Sequence, residues 1–157
     1  MIRINKILYP TDFSSHSNQA YFHAVALAEK HGASLTIAFV YSPSFFGTST
    51  GQSAAGEDRP YWQNQLEQIR PVDPRIPVHH VFLEGDPATE IIRYGQDAGI
   101  DLIVMGTHGR TGLERLLMGS VAEKVMREAK CSVLVVKLPK GVPVSAREDV
   151  EVALSPV

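Results

Sequence analysis

The chain has 157 residues, 44% of them hydrophobic, which suits one domain built on one continuous core. Its 15 basic and 17 acidic residues nearly cancel, so it lacks the strongly basic character that would make nucleic acid or an anionic membrane surface its natural partner. The single cysteine, Cys131, excludes an internal disulfide, and no apolar run approaches the roughly 20 residues that span a bilayer.

The opening MIRINKILYP is polar and basic before a short run that starts a strand rather than a signal peptide, so a cytoplasmic protein is expected. That strand is predicted over Lys6 to Tyr9. A helix is predicted from Ser15 to His31, where Ala20, Ala24, Leu27 and Ala28 form one apolar stripe and Gly32 supplies a C-terminal stop. Ser34 to Tyr41 reads as a second strand. Ser42 to Asp58 is rich in Ser, Gly and Thr and too long for a routine connection, and it reads as a mobile loop. A short helix from Pro60 to Arg70 follows, carrying Trp62, Leu66 and Ile69.

Val78 to Leu83 reads as the third strand. Asp86 and Pro87 then offer an N-cap and a first-turn proline for a helix that buries Ala88, Ile91, Ile92 and Gly95 before Gly99 ends it. Leu102 to Met105 is the fourth strand. Ser120 is the candidate cap of a last helix with Val121, Ala122, Val125, Met126 and Ala129 on one side, and Ser132 to Val136 is the fifth strand. The little-alternating run Val133 to Val136 suits burial on both faces. Strands alternating with helices imply a doubly wound α/β fold with a mostly parallel sheet, in a single domain over 1–138 with a flexible insert at 42–59. The tail at 139–157 is loosely ordered or lies on a neighbour.

Ligands of such sheets sit outside the C-terminal strand ends where strand order reverses, which directs attention to the loops after the first and fourth strands. The segment Gly106 to Ser120 follows the fourth strand. Gly106, Gly109 and Gly119 permit close backbone approach and positive φ angles that turn N–H groups toward an anion. The helix opening at Ser120 adds unpaired N–H groups, a positive dipole end and a hydroxyl donor. These glycines also suit ordinary turns and caps. A Walker loop is excluded because Gly-Lys-Ser/Thr is missing, and a Rossmann fingerprint because Gly-x-Gly-x-x-Gly does not follow the first strand.

The pattern Gly106-x2-Gly109-x9-Gly119-Ser120 resembles the nucleotide motif of the universal stress protein family in its ATP-binding branch. The likeness extends to Ile-Leu-Tyr-Pro-Thr-Asp-Phe-Ser at 7–14, Val-Met-Gly-Thr-His-Gly-Arg at 104–110 and Ser-Val-Leu-Val-Val-Lys at 132–137. The resemblance implies a five-stranded parallel sheet in the order 3-2-1-4-5, of the Rossmann-like, adenine nucleotide alpha hydrolase-like kind, and a homodimer formed through an edge strand at 132–137. It implies ATP bound across the carboxyl ends of strands 1 and 4, with Mg²⁺ or Mn²⁺ held through the phosphates. A regulatory nucleotide-binding protein of the stress response is the first reading of function, the sequence showing no convincing base for hydrolysis. Pro10, Thr11 and Asp12 would lie beside the adenosine, Val40 at the adenine, and Met105 and Gly106 on the ribose side. Gly109, Gly119, Ser120 and Val121 would hold the phosphates. The long insert and the C-terminal extension depart from the family pattern.

Asp12 also suits an N-cap for the first helix, in competition with Ser14 and Ser15. His108 lies in the glycine segment where a phosphate would pass and is named with the nucleotide-binding candidates, although histidines in such loops are more often structural or solvent-facing than catalytic, and no catalytic base is assigned. Arg110 and Arg115 are candidate phosphate neutralisers or solvated surface residues. His79 and His80 are adjacent in a strand, point to opposite faces and cannot grip one metal, so no protein metal site is assigned. Cys131 reads as a quiet thiol. A slow ATPase or phosphotransferase, and a nucleotide-free interaction module, are the alternatives.

Overall fold

The computed structural model describes residues 1–42, 58–107 and 118–137. The expected tail at 139–157 and most of the expected insert lie outside the described residues. Five aliphatic runs form β1 (Lys6–Thr11), β2 (Ser34–Tyr41), β3 (Val78–Glu84), β4 (Leu102–Gly106) and β5 (Ser132–Val136). The helices between them are α1 (Ser15–His31), α2 (Arg59–Gln68), α3 (Pro87–Asp97) and α4 (Ser120–Glu128). Every strand pairing is parallel and the order is β3-β2-β1-β4-β5, as the family resemblance implies.

Strand alternation divides the apolar side chains between two cores. On one face Ile7, Tyr9, Ile37, Phe39 and Val104 meet Ala20, Ala24 and Ala28 of α1 and Leu66 of α2. On the other, Leu8, Ala38, Val40, Ile103 and Met105 meet Ala88 and Ile91 of α3 and Ala122 and Val125 of α4. Such two-sided cover makes β1 and β2 continuous hydrophobic runs rather than alternating ones.

The ends of the helices follow their capping residues. Ser14 caps α1 by accepting the Ser17 N–H, and Gly32 takes a left-handed conformation at φ 62° while the Ala33 N–H returns to the Ala28 carbonyl at 2.9 Å. Asp86 caps α3 through the Thr89 N–H and hydroxyl, at 3.0 and 2.6 Å. Ala98 and left-handed Gly99 stop that helix.

Several elements differ from the sequence reading. β1 runs on through Pro10 to Thr11, and α2 opens at Arg59 inside the stretch expected to be flexible. Ser120 does not cap α4; it is the first helical residue, and Gly119 is the N-cap. Met126 was expected on the buried side of α4 but is 50% exposed, because the helix turns past Ala122 and Val125 beyond the edge of its packing face. β5 is an edge strand whose residues alternate in exposure, so burial on both faces does not hold there.

Candidate functional site

The hydrogen-bond ladders open a crevice at the point where strand order reverses. β1 pairs with β4 only at Ile7↔Leu102 and Leu8↔Ile103, whereas its ladder with β2 continues to Thr11↔Phe39. β4 meanwhile stays on β5 as far as Gly106↔Val136. Beyond Leu8 the two central strands therefore have separate partners, and Pro10, which has no N–H to give a ladder, falls in this parted stretch. Crevices of this kind are where doubly wound sheets bind ligands.

Pro10 follows Leu8 on the α3 and α4 side by strand alternation. Val40 and Met105 lie on the same side, with Met118 and Val121 half-buried against them. Four of the sequence candidates, Pro10, Val40, Met105 and Val121, are thus brought to one face. Thr11 and Gly106 belong to the opposite face. The Thr11 hydroxyl lies 3.2 Å from Ser17 Oγ and accepts the Phe13 N–H at 3.0 Å. At Gly106 a Cβ would stand 2.6 Å from the His16 carbonyl oxygen, so this glycine admits the first turn of α1 against β4.

Neither Gly106 nor Gly119 has the positive φ that the sequence reading allowed. Gly119 is extended at φ −72°, ψ 157°, and its N–H is already taken by the Thr107 carbonyl at 2.6 Å. Thr107 in turn donates to the Val136 carbonyl at 3.1 Å. Thr107 and Gly119 are thereby joined directly. His108, Gly109, Arg110 and Arg115 lie outside the described residues. Among the described residues no side chain caps α4, in contrast to α1 and α3, and the positive end of its dipole favours an anion. Ser120 is exposed at that end. Lys124 bridges the neighbouring helix starts, with its Nζ 3.0 Å from Thr89 Oγ1 and 3.7 Å from Asp86 Oδ2. The Thr89 hydrogen bonds, helped by Lys124, hold the Asp86 carboxyl below its ordinary range.

Asp12 is half-buried after β1, where its Oδ1 accepts the Ser14 N–H at 2.9 Å. It does not cap α1. The residue between them, Phe13, has φ 63°, a left-handed conformation that costs a bulky residue about 1–2 kcal/mol. Its ring packs against both Phe39, at a centroid distance of 5.0 Å, and Trp62 of α2, at 5.3 Å and nearly stacked. Trp62 donates its indole N–H to Asp58 Oδ2 at 3.2 Å, and Tyr41 donates its hydroxyl to Asp58 Oδ1 at 2.7 Å. Arg59 lies over the Tyr41 ring and pairs with Glu84. Sequence reasoning missed this aromatic group, although Phe39, Tyr41 and Trp62 are each recognisable as element residues.

The Tyr41 hydroxyl, followed by the Trp62 indole, holds the Asp58 carboxyl below its ordinary range. A depressed carboxyl contributes stability that is complete above the ordinary value of about 4 and is lost as pH falls through the lowered folded value. Trp62 is the one tryptophan in the sequence and reports directly on this contact. Acid titration of its fluorescence should show a step below about pH 4. The step should vanish in Asp58→Asn; an unchanged step in that variant would exclude Asp58 as its origin.

Burial pushes the Cys131 thiol up, which suits a quiet cysteine. His80 contacts the Ile69 carbonyl at 2.7 Å while His79 is exposed, so the two histidines diverge. Among the described residues no group of three or more His, Cys, Asp or Glu is placed to hold a metal ion, and no helix is long and apolar enough to cross a membrane.

The sheet order, the parted central strands and the helices on both faces define a doubly wound protein of the Rossmann-like, adenine nucleotide alpha hydrolase-like fold. The chain belongs to the Universal stress protein family, whose pattern matches residues 3–137. It is 40% identical over 148 residues to universal stress protein MJ0531 of Methanocaldococcus jannaschii, covering 86% of this chain and 83% of that one. The solved structure of MJ0577 from the same organism superposes with a TM-score of 0.68 at 30% identity, covering 89% of this chain and all of that one. A universal stress protein from Archaeoglobus fulgidus, solved in complex with dAMP, shares the fold with a TM-score of 0.61 at 20% identity, over 87% of this chain and 100% of that one.

Proposed function

We propose that this protein binds an adenine nucleotide, ATP foremost, at the crevice between the ends of β1 and β4, and acts as a homodimeric regulatory protein of the cytoplasmic stress response. One observation carries the reading: the central strands part beside a helix start that, among the described residues, no side chain caps. The residues present fit such a ligand. Pro10, Val40 and Met105 offer apolar surface to the adenosine, and the Asp12 carboxylate is an acceptor for its hydroxyl or amino groups. The first-turn N–H groups of Ser120 and Val121, with the Ser120 hydroxyl, suit phosphate oxygens, and the bare Gly119 lets them approach. His108, Gly109 and Arg110 would complete the phosphate side. Mg²⁺ or Mn²⁺ would be held by the phosphates, adding positive charge there. The fold relative from Archaeoglobus fulgidus, with its adenine nucleotide, supports the same ligand class. The edge strand β5, within the segment 132–137, is the natural place for a second copy to pair. No residue is assigned as a base for hydrolysis, and the reading is of a nucleotide-responsive protein rather than an enzyme.

The test is to identify small molecules released from freshly purified protein by mass spectrometry, then titrate the stripped protein with ATP and Mg²⁺ by calorimetry. Co-purified adenine nucleotide, or saturable binding with a Kd on the order of micromolar, is expected. A stripped protein that binds no adenine nucleotide would sink the proposal.

A further inference from the structure

We infer that Trp62 is a positioning residue for the nucleotide: by stacking on Phe13 it holds the left-handed turn that presents Asp12 to the crevice. This rests on the proposed adenine-nucleotide site and adds to it a residue from α2, an element outside the family motif. The turn is defined by two successive bonds, Phe13 N–H to Thr11 Oγ1 at 3.0 Å and Ser14 N–H to Asp12 Oδ1 at 2.9 Å. Between them sits Phe13 at φ 63°, a conformation that a phenylalanine keeps only where its surroundings over-determine it.

Those surroundings are the rings of Phe39 and Trp62, which also stack on one another at 5.6 Å. Phe39 is fixed within β2 and remains whatever happens to α2. Trp62 is fixed by Asp58, whose other oxygen is bound by Tyr41 of β2, so the indole is tied to the sheet at both its ring and its N–H. Releasing the indole frees Phe13 to return to negative φ. That motion breaks the Ser14 bond and swings the Asp12 carboxylate away from its present place.

The test combines Trp62→Leu with Phe13→Gly, since glycine adopts positive φ without a stacking partner. In nucleotide-free protein, Trp62→Leu is expected to speed amide exchange of Phe13 and Ser14 by about tenfold while Ile7 and Leu8 exchange as before. It is expected to weaken ATP binding by about tenfold, and Trp62→Phe, which keeps a ring in the stack, by less than about twofold. In the Phe13→Gly background, Trp62→Leu should change ATP affinity by less than about twofold. Trp62→Met serves the same comparison should the leucine variant not fold. Unchanged exchange at Phe13 and Ser14, or an equal loss of ATP affinity in both backgrounds, overturns the inference. If the wild-type protein binds no adenine nucleotide, the reading of the site fails, and the exchange rates still decide whether Trp62 holds the turn.

Discussion

Gly119→Val is expected to remove ATP binding while leaving the fold in place, with a Kd raised by at least about 100-fold, or about 2.7 kcal/mol. Gly119 already has an extended backbone at φ −72°, ψ 157°, which valine adopts without strain, and its N–H bond to Thr107 survives the change. What valine adds is a branched side chain at the start of α4, where a phosphate must come within hydrogen-bond reach of the first-turn N–H groups. Valine is also a poorer N-cap than glycine, which should lower stability by about 0.5–1 kcal/mol and the thermal midpoint by only a few degrees. Calorimetric titration beside a thermal melt separates the two effects. Wild-type affinity in a folded variant would move the phosphate away from α4 and leave Gly119 as the closing residue of the Thr107 contact alone. The same variant calibrates turnover: ATP hydrolysis by the wild type no faster than by Gly119→Val is the result expected of a regulatory protein.

The parts of this fold that sequence reveals are those governed by neighbours along the chain. The α1 stripe, the Asp86–Pro87 start and the Gly32 stop depend on residues within a turn or two, and each stands where expected. β1 shows the limit of that logic. Proline normally ends a strand, and the continuation to Thr11 is allowed because β4 has already left that side of the sheet, a fact about pairing that the local sequence does not carry. The edge position of β5 is likewise a consequence of strand order. At the site, the glycine spacing marks the right loops but not the reasons for the glycines: Gly119 has its N–H engaged, and Gly106 makes room for α1. The three-ring cluster of Phe13, Phe39 and Trp62 joins residues from β1's turn, β2 and α2, and no short motif can announce it.

Gly106→Ala should be the most damaging single-methyl substitution in the crevice, and it acts through packing alone. The added Cβ would lie 2.6 Å from the His16 carbonyl oxygen, 2.8 Å from its carbon and 3.3 Å from the Ser17 nitrogen. All three are backbone atoms of the first turn of α1, so no rotamer change relieves the contact. That turn is also fastened: Ser14 caps it, and Ser17 Oγ lies 3.2 Å from Thr11 Oγ1 and 3.4 Å from the Tyr9 hydroxyl. Overpacking against such a support costs about 2–3 kcal/mol, a fall in thermal midpoint of roughly 5–10 °C. Gly95→Ala is the control, because its Cβ would meet only the Ile103 Cδ1 at 3.5 Å, within the helix α3. There the gain in helix propensity should offset the contact and leave stability unchanged or raised by up to about 1 kcal/mol. Because the displaced turn follows directly from Asp12 and Ser14, Gly106→Ala should also weaken ATP binding in the fraction that folds, whereas Gly95→Ala should not. A Gly106→Ala protein with the midpoint and affinity of the wild type would show that α1 is not seated against β4 as described, and would remove the packing account of this glycine.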